Sequence, residues 1–270
     1  MTDSEGHAVT TGAAPGVFDQ LRLDGLTALV TGGNRGLGRA MALALASAGA
    51  AVAITGRDQA RLEQAAAEIG DVTGTKPRAF VVDLLDSTAR QVFLDQIGHE
   101  CGRIDILVNN AGIGLRRPAL QMTDEEWQRV IELDLTVPFL LARAFAPAMI
   151  ENRFGRIINV SSALGLIAFP GRAAYCAAKG GLIMLTRALA LEWAELGVTV
   201  NAICPGPFET ENNQVIQQDP VAYRHYLSLI PVRRWAKPEE IGPLVVYLAS
   251  RASSFVTGAA YVIDGGWTAQ

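Results

Sequence analysis

The chain has 270 residues, half of them hydrophobic and 19% charged, so it can bury a large core and is not disordered along its length. Its 23 basic and 27 acidic residues leave a net charge of −4, which argues against nucleic-acid binding. Three cysteines and three histidines, scattered singly, make neither a disulfide framework nor a metal cluster, so no metal is expected. Residues 1–20 carry no basic start and no apolar stretch, so they read as a flexible tail rather than a signal or transit peptide. No run reaches the roughly 18 apolar residues of a membrane span, and a cytoplasmic protein without a membrane partner is expected.

Seven short β-branched runs follow: Thr27–Thr31, Ala51–Thr55, Arg78–Val82, Ile104–Asn109, Arg156–Ser161, Val198–Ile203 and Ala260–Ile263. They are apolar on both faces, as parallel strands between helix layers must be. Between them lie segments rich in Ala, Leu and Glu, at about 36–48, 58–69, 87–100, 123–150, 174–195 and 238–250, which read as amphipathic helices. The alternation predicts a single α/β domain over 21–270: a Rossmann-like, doubly wound, seven-stranded parallel sheet with helices on both faces. The least regular stretch follows Pro205–Gly206 and runs to about Pro238, with a polar run over Glu209–Gln218. It leaves the C-terminal end of a strand, so the part at about 207–236 reads as a substrate lid; the alternative is a surface insertion with no role.

Three places carry chemistry. Thr31-Gly32-Gly33-Asn34-Arg35-Gly36-Leu37-Gly38 joins the first strand to the first helix. Glycines there permit positive φ and a close approach to phosphate, and a helix N-terminus offers free N–H groups and a positive dipole end. The second strand runs into Arg57-Asp58, where an arginine suits a ribose 2′-phosphate and a carboxylate suits a 2′-hydroxyl. Arg35 and Arg57 read as a phosphate clamp and Asp58 as a helix N-cap, so NADP(H) is expected ahead of NAD(H). Third, Tyr175 and Lys179 share a helix face four residues apart, and Ser162 closes the fifth strand. A free tyrosine titrates near about 10, and a nearby ammonium favours its phenolate, which suits general acid/base work beside hydride transfer.

These motifs occur in order with Asn109-Asn110-Ala111-Gly112, Pro205-Gly206 and a closing Asp264-Gly265-Gly266, and the set resembles the short-chain dehydrogenase/reductase family over residues 22–267. The resemblance implies a pyrophosphate cradle at Gly32, Gly36 and Gly38, with Asn34, Arg35 and Leu37 in the same turn. It places Arg57, Asp83 and Leu84 at the adenosine end and Asn110, Ala111 and Gly112 along the pocket, with Asn109 bracing the strands. Pro205, Gly206 and Thr210 are expected at the nicotinamide end. Tyr175 is expected as acid/base, Lys179 as its electrostatic partner and ribose ligand, and Ser162 as the group orienting the substrate oxygen. Asp83 has the alternative of an ordinary N-cap.

One departure stands out. The family places an asparagine of the proton relay where this chain has Asp134, in Leu133-Asp134-Leu135-Thr136. An ionised Asp cannot donate a hydrogen bond, and it adds negative charge near Lys179. A working but altered relay with a more alkaline optimum for oxidation is expected; the alternative is that Asp134 points elsewhere.

For the substrate, Arg116, Arg117, Leu164, Arg172 and Phe208 are the expected contacts, with Leu115, Phe169, Pro207, Glu209, Asn212 and Asn213 as further candidates. Ile113-Gly114-Leu115-Arg116-Arg117-Pro118 is similar to sugar-acid dehydrogenases of the gluconate 5-dehydrogenase type. Pro231-Val232-Arg233-Arg234-Trp235 fits that branch and also occurs in related form in 3-oxoacyl-carrier-protein reductases, which are the second reading. A general ketone/secondary-alcohol enzyme is a third, a cofactor-binding protein without catalysis is an alternative of another class, and a solvated surface pair is the alternative for Arg116 and Arg117. The family resemblance also implies a homotetramer or homodimer pairing the helices at 123–150 and 174–195.

Overall fold

The structure is a computed structural model that describes residues 16–269. Residues 1–15 of the expected tail lie outside the described residues, and Val17–Gln20 (α1) forms one helical turn with none of its side chains buried. The seven strands are β1 (Thr27–Val30), β2 (Ala51–Gly56), β3 (Arg78–Val81), β4 (Ile106–Asn109), β5 (Gly155–Val160), β6 (Val198–Pro205) and β7 (Ala260–Ile263). They pair in the order β3-β2-β1-β4-β5-β6-β7, and every pairing is parallel. The strand order reverses between β1 and β4, so the loops leaving those two strands diverge and open a crevice at their C-terminal ends.

Alternation along β1 explains the layers. Ala28 and Val30 point into one apolar cluster with helices α2 (Gly36–Ser47), α3 (Gln59–Thr73) and α10 (Gly242–Ala249). Leu29 points into the other, with α4 (Ser87–Cys101), α6 (Val137–Glu151) and α7 (Ala173–Trp193). Two long helical segments, Asp124–Glu151 and Ala173–Leu196, have the length and apolarity of membrane spans. Both instead lie on the sheet, with Asp134 and Lys179 buried within them.

The segment expected as one helix at 123–150 contains a break in register. Helix α5 (Asp124–Ile131) passes into α6 through a π-turn at Glu132–Thr136. The Val137 N–H reaches back five residues to Glu132, and Pro138 has no N–H to give the Asp134 carbonyl four residues before it. The lid carries more helix than its composition suggests: α8 (Gln214–Gln217) and α9 (Pro220–Leu229). Asp219 caps α9 and Pro220 opens it, a start signal that the sequence does contain. The lid's two ends are stitched together, since Glu209 N–H donates to the Ala236 carbonyl at 2.9 Å and Ala236 N–H to the Pro207 carbonyl at 3.1 Å.

Candidate active site

A single cleft of about 1160 Å³ runs along the C-terminal ends of the strands. Its first end is the glycine turn. Thr31 fixes that turn to the neighbouring strand: its Oγ accepts the N–H of Asn110 at 2.9 Å and of Ala111 at 3.0 Å, and donates to the Val108 carbonyl. The Asn110 amide returns the tie, donating to the Thr31 carbonyl at 2.9 Å and the Gly32 carbonyl at 3.3 Å. Gly32 and Gly36 hold φ of +65° and +52°, which side-chain-bearing residues rarely adopt. A Cβ on Gly38 would stand 2.2 Å from the Gly32 carbonyl oxygen, so helix α2 seats directly on the turn. No side chain caps α2, leaving its first N–H groups for an anion. This cradle fits the pyrophosphate of a dinucleotide.

Every residue assigned from sequence to the cofactor lies on this cleft. They are the turn from Gly32 and Asn34 to Gly38, Arg57 after β2, Asp83 and Leu84 after β3, Asn110–Gly112 after β4, Tyr175 and Lys179 on α7, and Pro205, Gly206 and Thr210 after β6. The charges at the adenosine end are arranged differently from the expected Arg35–Arg57 clamp. Arg57 faces Asp83 at 3.9 Å, while Arg35 and Arg61 both reach the lid carboxylate of Glu211, at 3.3 and 3.1 Å. Asp58 caps α3 by accepting the Arg61 N–H at 3.1 Å. Asp83 does not cap α4; Asp86 does so, and Asp83 accepts the Leu85 N–H at 3.0 Å.

The other end holds the acid/base group. Lys179 is buried on α7, its Nζ donating to the Val160 carbonyl at 2.9 Å and standing 5.7 Å from the Tyr175 ring centre. Ser162 follows β5, and its Oγ accepts the Leu164 N–H at 3.1 Å, which leaves the hydroxyl hydrogen free for another acceptor. Asp134 points inward: Oδ1 accepts the Ile113 N–H at 2.7 Å and Oδ2 lies 3.3 Å from Lys179 Nζ. Burial pushes the Asp134 carboxyl above the usual carboxylate range, against the pull of Lys179 and of the Ile113 N–H. Burial lowers the Lys179 ammonium, and the Asp134 carboxylate and Tyr175 hydroxyl more than offset it, so Lys179 titrates above an ordinary lysine.

The expected substrate residues separate. Arg116, Leu164, Arg172 and Phe208 line the cleft. Phe208 is nonetheless 1% exposed and packs chiefly into the core beneath the lid. Arg117 does not line the cleft: its guanidinium pairs at 2.8 Å with Glu126, a cleft residue that also closes the capping box of α5, so Arg117 is removed from the substrate set. Glu209 also lies off the cleft wall, and the Asn212 side chain lies outside the described residues. Arg172 donates to the Gly114 and Leu115 carbonyls at 2.8 and 3.1 Å and lies 5.7 Å from the Tyr175 ring centre. Arg116 donates to the Tyr226 hydroxyl at 3.4 Å. Burial, and then the neighbouring Arg116 charge, hold the Arg172 guanidinium below its usual range.

Sequence reasoning missed Arg61, Glu211 and an aromatic wall of Tyr226, Trp235 and Trp267, all on the cleft. Helical spacing placed Arg61 near the capped start of α3. The wall had no such signal, because its members meet only when the lid folds back on the end of the sheet.

The comparisons agree with this geometry. The family model described as "Enoyl-(Acyl carrier protein) reductase" matches residues 32–268. The 3-oxoacyl-[acyl-carrier-protein] reductase FabG of Vibrio harveyi is 39% identical over 246 residues, covering 91% of this chain and 98% of that protein. The 2-dehydro-3-deoxy-D-gluconate 5-dehydrogenase of Pseudoalteromonas atlantica is 37% identical over 261 residues, covering 93% and 99%. The crystal structure of a gluconate 5-dehydrogenase from Burkholderia cenocepacia J2315, in complex with NADP and tartrate, superposes with a TM-score of 0.88 at 36% identity, covering 94% of this chain and 99% of that one. With a glycine turn, a Ser–Tyr–Lys group and this breadth of similarity, the chain belongs to the short-chain dehydrogenase/reductase family of NAD(P)(H)-dependent oxidoreductases.

Proposed function

We propose that the chain interconverts a secondary alcohol and a ketone on a small sugar acid, with NADP(H) preferred to NAD(H). The observation that carries this reading is the state of Arg116 and Arg172. Both line the cleft, Arg172 beside Tyr175 and Arg116 beside Tyr226, and among the described residues neither has a carboxylate within 4.0 Å. Two neighbouring guanidiniums without a counter-charge favour an anionic ligand, and arginine matches a carboxylate in a bidentate geometry.

Bound along the cleft, a nicotinamide dinucleotide supplies the hydride for reduction or accepts it in oxidation. The turn from Gly32 to Gly38 would hold its pyrophosphate, Asp83 and Leu84 would lie at the adenine, and Arg35, Arg57 and Arg61 would attract a 2′-phosphate. Asn110, Ala111 and Gly112 line its path, and Pro205, Gly206 and Thr210 border the nicotinamide end. In oxidation Tyr175 takes the hydroxyl proton, and in reduction it returns one to the carbonyl oxygen. Ser162 donates the hydrogen left free by its Leu164 contact to that same oxygen. Lys179 stabilises charge on the Tyr175 oxygen, and Asp134 tempers Lys179 by holding part of its field.

The second reading, a 3-oxoacyl thioester substrate, is supported by the apolar share of the wall at Leu164, Ile216 and Trp267. The protein works in the cytoplasm as a homotetramer or homodimer; Met184 and Leu191, exposed on α7, support a partner helix there. The test is a panel of sugar acids, polyols, simple ketones and 3-oxoacyl thioesters with each nicotinamide cofactor, followed by absorbance of the reduced form. Turnover of gluconate-like acids is expected. Turnover of the thioester alone would overturn the sugar-acid reading.

A further inference from the structure

Beside the adenosine end of the cleft lies a second cavity of about 290 Å³, walled by Arg35, Arg39, Arg61, Gln64, Glu68 and Glu211. Arg39 is paired to Glu68 across its far side. Arg35, from the glycine turn, and Arg61, from the first turn of α3, have Glu211 as their shared counter-charge, a single Oε accepting from both Nη groups, while Arg61 Nε also lies 3.5 Å from Asp58. Glu211 belongs to the lid, not to the nucleotide-binding half. It follows Thr210, whose Cγ lies 3.5 Å from where a Cβ on Gly36 would be, so this part of the lid rests on the glycine turn. The three residues are about half exposed, with room beside them.

We propose that Glu211 is the residue that sets cofactor selectivity, by occupying from the lid the two guanidiniums that a 2′-phosphate would take. A phosphate monoester there must displace the carboxylate or lie against a like charge, whereas a 2′-hydroxyl leaves the Glu211 pairs in place. Arg35 and Arg61 thus draw NADP(H) in, and Glu211 sets how strongly. The lid thereby narrows the gap between the two cofactors and makes the enzyme dual in use. This inference rests on the cofactor reading given above, and its test separates the two.

The test is calorimetric titration of the full chain with NADPH and with NADH, for wild type, Glu211→Gln and Glu211→Asp. Binding of either nucleotide by wild type supports the cofactor reading; binding of neither overturns that reading and this inference with it. Removing the carboxylate is expected to tighten NADPH about three- to tenfold while leaving NADH within about twofold, the scale of two exposed charge pairs. Glu211→Asp, one methylene shorter, is expected between the two. Equal changes for both nucleotides, or no change in the NADPH-to-NADH ratio, would overturn the proposal. Glu211 lies at the surface, so its substitution leaves the core intact.

Discussion

The two ends of the cleft each carry a pair of arginines, and the pairs differ in how their charge is answered. At the adenosine end Arg35 and Arg61 share the Glu211 carboxylate. At the substrate end, among the described residues, Arg116 and Arg172 hydrogen-bond to neutral partners, the Tyr226 hydroxyl and two backbone carbonyls. An answered pair makes a ligand compete for its place, and so discriminates between ligands that differ there by one charge. An unanswered pair gives its field to whatever anion arrives, and so selects for charge itself. The chemistry lies between them, where Asp134 and Lys179 are a third, buried pair whose partners face each other at 3.3 Å.

The comparison breaks first if the middle of the cleft is inert. Tyr175→Phe removes the proton carrier while keeping the ring, and kcat is expected to fall about 10²- to 10⁴-fold. Dinucleotide affinity measured by calorimetry should stay within about threefold, the value of one hydrogen bond. Gly38→Ala attacks the adenosine end alone. Its methyl must push against the Gly32 carbonyl 2.2 Å away. A cost of about 1–3 kcal/mol in stability is expected, read as a melting temperature lowered by several degrees, with weakened binding of both dinucleotides.

Asp134→Asn sharpens the middle term. Without the carboxylate, the Lys179 ammonium acts more fully on the Tyr175 oxygen. Lys179, no longer held up by Asp134, also loses its proton at lower pH. The alkaline limb of the pH–rate profile for alcohol oxidation should therefore move toward acid. An unchanged profile, or one moved toward alkali, would remove Asp134 from the relay. The smallest effect belongs to Arg117→Ala. Its guanidinium is paired with Glu126 and does not line the cleft, so kcat/KM should hold, with stability changed by less than about 1 kcal/mol, as thermal melts would show.

Much of this could be read from the chain because it is local. Strands buried on both faces are apolar in most positions, the glycine turn lies between a strand and a helix, and Tyr175 and Lys179 meet by helical spacing alone. What escaped reading is made by long-range folding. Arg116 and Arg117 are adjacent in sequence, and the position of Glu126 at the start of α5 engages one of them while the other stays on the cleft. Asp134 meets Lys179 because a π-turn, set by the missing N–H of Pro138, rotates its side chain inward. Glu211 reaches Arg35 across 176 positions of sequence, through a lid whose polar composition said nothing of its contacts.

The most direct measurement compares kcat/KM for a sugar acid with that for the matching neutral polyol, in wild type and Arg116→Leu, with melting temperature as a control for folding. The arginine reading predicts a marked wild-type preference for the acid, and a loss of roughly ten- to a hundredfold on the acid alone in the variant, about 1.5–3 kcal/mol for a charged hydrogen bond. Equal use of acid and polyol by wild type, or an equal loss on both in a folded variant, would contradict it.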